Sequence, residues 1–149
     1  MTDSIEKITH AEILGIISAW FIMIGSFLPW VVTDAGYLSD RVVLGFDLIG
    51  GFTLLFGTIC FLLFYFGNKY YGKYKTFLGV LLLGILIFFL VINESIDGGI
   101  QDKLGYYSYS EMDYNVEYGI GYYLTFFGSI GLLISAVWLF IDTYKSETK

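Results

Sequence analysis

The sequence is poor in the side chains that most enzymes work with. Among 149 residues there is one cysteine, Cys60, one histidine, His10, and one proline, Pro29. A lone cysteine excludes a disulfide within the chain and any cysteine-rich metal site. A lone histidine leaves Ser–His–Asp and Cys–His schemes almost nothing to draw on. No catalytic residue, cofactor or metal ligand is therefore expected, and the chain is read as a non-enzyme. Bases are scarce as well. Eight Lys and Arg stand against 14 Asp and Glu, for a net charge of −6. Nucleic acid, which needs a basic stripe to neutralise its phosphates, is excluded as a partner. Charge of either sign makes up only 15% of the residues and hydrophobic side chains 56%. That balance belongs to membrane proteins, and residues 1–149 are read as a single integral membrane domain.

What is present is long apolar runs. The last, Gly119–Ile141, is 23 residues without a charge, enough to cross a hydrocarbon core of about 30 Å. Three earlier runs give helices expected at about 11–32, 46–66 and 76–92. The fold class is thus an all-α membrane protein, a four-transmembrane-helix bundle. The segment before the first run is acidic on balance and that run exceeds a signal peptide's apolar core, so it is read as an uncleaved first helix. Pro29 and Trp30 close it, either as a helix end with an interface anchor or as a Pro-hinged gate.

Small residues recur along these runs. Gly121, Gly128 and Ser135 repeat every seven residues, and Gly15 and Gly25 mark a similar stripe on the first helix, with Gly57 on the second. On a helix such spacing lines up missing bulk where a neighbouring backbone can approach. These six are the expected packing residues.

Connections carry the polarity. Lys7, Lys69, Lys73, Lys75, Lys145 and Lys149, six of the eight bases, fall on one side of a four-span layout. By the positive-inside rule this puts both termini in the cytoplasm of a multi-pass cell-membrane protein, with 33–45 and 93–118 as outer loops. Those loops hold eight carboxylates against Arg41 and Lys103. Divalent cations prefer such oxygen ligands, but the spacing matches no Ca²⁺ loop, and a solvated acidic surface is the simpler account. Tyr106, Tyr107, Tyr109, Tyr114 and Tyr118 interleave with the acids. They are read as an interaction surface or a self-packed cap. The arms Tyr106–Tyr109 and Tyr114–Tyr118 are expected to form a hairpin, with Arg41–Leu44 as a third strand of a small extracellular β-structured cap.

Three lesser signals complete the reading. Asp47 at the edge of the second run either complements the positive end of a helix or takes an ion. Asn93-Glu94-Ser95 has the form of a glycosylation acceptor but abuts the membrane. Gly119-x-Gly121 lacks the context of a phosphate loop and is read as a tight start to the last helix.

SFLPW at Ser26–Trp30 and GIGYYLTFFGS at Gly119–Ser129 resemble small prokaryotic, archaeal-type four-helix membrane proteins, a resemblance that implies a class and no mechanism. The layout of four helices, two unequal outer loops and inner termini is also similar to the claudin-like tetraspan arrangement. Here Trp30 stands without the GLW and cysteine pair of that family. The function expected is contact: an accessory subunit of a membrane complex or a homo-oligomer, held in the lipid bilayer. The alternative is a small oligomeric channel or transporter, for which Thr53, Thr58, Thr125, Ser129 and Ser135 are the few polar groups on offer.

Overall fold

A computed structural model of the protein describes residues 8–34, 41–67, 70, 72–96 and 115–147. Helix α1 spans His10–Phe27. It starts where Thr9 and Glu12 cap each other: the Glu12 carboxylate accepts from the Thr9 amide at 2.6 Å, and the Glu12 amide donates to Thr9 Oγ1 at 3.3 Å. That reciprocal box satisfies two amides that the first turn leaves without partners. The helix stops because Pro29 disfavours helical backbone at the residue before it, and Leu28 is extended, with φ −88° and ψ 164°.

The chain then becomes strand β1, Pro29–Asp34, rather than continuing as helix to residue 32. Val31 and Val32 are apolar and β-branched, so they suit a strand as well as a membrane helix. Strand β2, Arg41–Leu44, returns antiparallel to β1 with a bulge between Pro29 and Val31. Strand β3, Asn115–Tyr118, pairs with the other edge of β1, Val31 facing Tyr118. Among the described residues the order is β2-β1-β3, which corrects the expected sheet in one respect: its centre is β1, and Arg41–Leu44 pairs with β1 rather than with Asn115–Tyr118. The reason is geometric: β1 leaves the end of α1, so both connections must come to it. The arm Tyr106–Tyr109 lies outside the described residues.

From β2 a single 3-10 turn, Gly45–Asp47, leads to helix α2 at Gly50–Leu62. This helix starts four residues later than the apolar run because Gly45 must first lie against β1. Its last turn widens into a π segment, Leu63–Gly67. The wider turn inserts Phe64 into α1 at Gly15 and sets Gly67 against Thr76. Gly72 turns the chain at φ +79°, a backbone state that glycine adopts without penalty. Helices α3, Lys73–Ile96, and α4, Ile120–Glu147, follow. Both outrun the expected spans of 76–92 and 119–141, since hydropathy measures hydrocarbon thickness while helical hydrogen bonding continues into the polar ends.

Helix α4 is central, packed along α1 on one side and α3 on the other, and α2 packs along α1. All four helices are long and apolar enough to cross a membrane. The shortest stretches, His10–Phe27 and Gly50–Gly67, have 18 residues each, about 27 Å at the helical rise. Their outward faces are hydrophobic too: Ile17, Phe52, Leu82 and Phe127 are all exposed. A face of that kind suits lipid and would be an aggregation surface in water.

Candidate interaction surface at the sheet end

Among the described residues Trp30 is the largest of the fully buried side chains, and it fastens the sheet to the bundle. Trp30, the residue that the bulge displaces, is fully buried, and its indole N–H donates to the Gly25 carbonyl at 2.9 Å. Gly45 lies flat against the ring, and Gly50 packs on Gly45. The Trp30 carbonyl accepts from the Gly119 amide at 2.8 Å, and the Leu28 carbonyl accepts from the Gly45 amide at 3.0 Å. Trp30 therefore ties together the end of α1, the turn into α2 and the start of α4. The expectation of an interface anchor at this position is corrected: the ring is buried inside the protein, where it packs on Gly45, donates to Gly25 and meets Tyr122 of α4.

Aromatic rings carry this junction down into the bundle. Tyr122 meets Trp30 edge-on at 6.0 Å and stacks with Tyr118 at 4.6 Å. Below it Phe126 stacks with Tyr122 at 6.2 Å and with Phe88 of α3 at 5.7 Å. The Tyr118 hydroxyl titrates above the ordinary tyrosine range, raised first by partial burial and then by Tyr122 and Tyr123. It is neutral at physiological pH.

The surface beside this column is mixed. Val42 and Leu44 of β2 are 52% and 40% exposed, and Phe46 stacks with Phe27 at 6.1 Å. Glu117 and Asp47 are exposed nearby in the chain. Asp47 sits in the 3-10 turn that precedes α2, not in that helix's first turn. Of the five tyrosines expected to form the interaction surface, Tyr118 is in β3 and 40% exposed. Tyr106, Tyr107, Tyr109 and Tyr114 lie outside the described residues. Among the described residues no group of three or more His, Cys, Asp or Glu side chains could hold a metal ion.

The six packing residues fall at helix contacts. A Cβ on Gly121 would lie 2.7 Å from the carbonyl oxygens of Gly25 and Leu28, and one on Gly25 would lie 2.8 Å from the Gly121 carbonyl. One on Gly128 would lie 2.8 Å from Ile22 Cγ1 and 2.9 Å from the Ser18 carbonyl. Ser135 donates to the Ala11 carbonyl at 2.6 Å. These four close the α1–α4 seam from the sheet to the far end. Gly57 faces Ile22 and Met23 across the α1–α2 contact, and Gly15 receives the ring of Phe64 from the π segment. Sequence reasoning overlooked Gly131, which packs on Ser18, and Gly45, which packs on the Trp30 ring. Gly131 sits three residues from Gly128, an interval that could have flagged it.

Fold and site together define the class: a bundle of four potential membrane-spanning helices with a three-stranded sheet pinned to one end. No protein-family model matches the sequence, and no curated protein matches it either.

Proposed function

We propose that the chain is a multi-pass protein of the cell membrane, both termini cytoplasmic, that works through contact as an accessory subunit or a homo-oligomer. The sheet end is then the outer end and its surface the recognition surface. The observation that carries this reading is the exposure of Val42 and Leu44 on a sheet whose position is locked by Trp30. Apolar side chains displayed on a rigid support favour a partner, because little ordering entropy opposes binding. The layout fits the small prokaryotic four-helix proteins that Ser26–Trp30 and Gly119–Ser129 resemble. The channel alternative is weaker because its hydroxyls are engaged within the chain. Thr53 donates to the Gly50 carbonyl at 3.1 Å, Thr58 to Leu54 at 2.8 Å, Thr125 to Gly121 at 2.9 Å and Ser129 to Phe126 at 2.7 Å.

Two measurements test the reading. Purified in mild detergent, the protein is expected in a stoichiometric assembly, with a second subunit or further copies. Val42→Lys combined with Leu44→Lys should dissolve that assembly without changing the near-ultraviolet circular dichroism of the buried tryptophan. A monomer, or an assembly indifferent to the two lysines, overturns the contact role. Orientation is tested in intact cells in a Cys60→Ser background. Cysteine at Ser110 is expected to react with a membrane-impermeant thiol reagent, and cysteine at Lys73 to be shielded; the reverse pattern inverts the topology.

A further inference from the structure

Helix α4 carries a second feature, at the end away from the sheet. Leu133, Ile134, Val137, Trp138 and Ile141 line a groove of about 430 Å³. Its walls are hydrocarbon and an indole, so its occupant must be hydrocarbon where it touches them. The size falls within the roughly 300–1,000 Å³ of small-molecule sites. Ile134, Trp138 and Ile141 follow one another at helical intervals of four and three, and the next position on that stripe is Lys145, which is exposed. The Trp138 ring is held by a stack on His10 at the start of α1, centroids 6.4 Å apart and planes 9° from parallel. An indole in this place marks the boundary between hydrocarbon and headgroups. Lys73 and Lys75 at the start of α3 stand at the same end of the bundle.

We propose that this groove holds one acyl chain of an anionic phospholipid, whose phosphate is met by Lys145. A hydrocarbon-lined groove with Lys145 one helical turn beyond its last wall residue, Ile141, matches that molecule in both halves. A second copy of the chain fits less well. Copies sharing one orientation in a bilayer would meet here about an axis along the membrane normal, bringing their Lys145 ammonium groups to the same level. The groove is also walled by bulky side chains, whereas the close α1–α4 seam of this protein is made at Gly and Ser. The inference rests on the bilayer placement proposed above and is independent of the recognition surface at the sheet end.

Tryptophan quenching tests it. In a Trp20→Phe variant the remaining indoles are Trp30, which is buried, and Trp138, which is 42% exposed. The protein is reconstituted into phosphatidylcholine vesicles containing a minor fraction of phosphatidylglycerol, with bromine on the chains of one lipid or the other. At equal mole fraction, brominated phosphatidylglycerol is expected to occupy the site about fivefold more readily than brominated phosphatidylcholine, ~1 kcal/mol as RT ln 5. Lys145→Gln should remove the preference and leave quenching by phosphatidylcholine unchanged. Equal quenching by both lipids in the parent overturns the site. So does the absence of quenching by either, which would mean that protein covers the groove. Failure of the protein to float with the vesicles would instead overturn the bilayer placement itself.

Discussion

Gly121→Ala is expected to destabilise the protein by about 1–3 kcal/mol, toward the upper end of what overpacking costs. The added methyl would sit 2.7 Å from two carbonyl oxygens, those of Gly25 and Leu28, and 2.8 Å from the Leu28 carbonyl carbon. No flexible side chain is there to move aside, so the α1 backbone itself must retreat. Retreat would loosen the other contacts along the seam, including the Ser135 hydrogen bond to Ala11. The comparison variant is Gly51→Ala. There the nearest atom to the new methyl is Phe46 Cε2 at 4.0 Å, and the residue is exposed. Alanine at an unobstructed helical position gains roughly 0.5–1 kcal/mol over glycine, so this variant should match or exceed the parent. Gly57→Ala belongs between them, since Ile22 Cγ2 at 3.1 Å and Met23 Cγ at 3.2 Å are side-chain atoms that can shift. The measurement is loss of folded protein in detergent against temperature, and the expected order of stability is Gly51→Ala, Gly57→Ala, Gly121→Ala. If Gly121→Ala is as heat-resistant as the parent, close approach of α1 and α4 does not hold the bundle.

The seam also marks how far the sequence could be read. The seven-residue spacing of Gly121, Gly128 and Ser135 identifies a face of the last helix, but a spacing does not say which helix will meet it. Gly15 belongs to the matching stripe on α1, yet its partner is Phe64 from the π segment. A π turn exists because tertiary packing rewards the inserted ring, and no local residue pattern announces it. Helix limits were legible only where a side chain sets them. Pro29 stops α1 through a steric rule acting on Leu28, and the Thr9–Glu12 box was a readable start that the hydropathy run obscured. Val31-Val32-Thr33 was legible as a β-prone edge, yet Val31 and Val32 also close the first hydrophobic run. Two apolar β-branched residues at the end of a hydrophobic run fit a helix or a strand equally well, and the choice is made by Trp30 finding its cage.

That cage carries the second large expected effect. Trp30→Ala should cost about 3–5 kcal/mol, as for other large buried aromatics, because the ring is wholly enclosed and its contacts with Gly45 and Tyr122 and its hydrogen bond to Gly25 are lost together. Trp30→Phe keeps an aromatic ring but loses the indole hydrogen bond to Gly25. Since the Gly25 carbonyl still accepts from the Leu28 amide at 3.2 Å, that loss should stay near the ordinary 0.5–1.5 kcal/mol for one hydrogen bond, plus the volume missing from the smaller ring. The effect should also be local. Trp30 holds the sheet through β1, and β3 has its ladder on the same strand. In Trp30→Ala, amides 115–118 and 31–33 are expected to exchange much faster, while amides in the middle of α4 keep their protection through the α1 seam. Gly45→Ala should reproduce the pattern from the other side, because a methyl there would overlap the indole. Hydrogen exchange read segment by segment checks this. Uniform loss of protection in sheet and helices would mean that sheet and bundle unfold as one unit, and Trp30 would then not be the pin that joins two separately held parts.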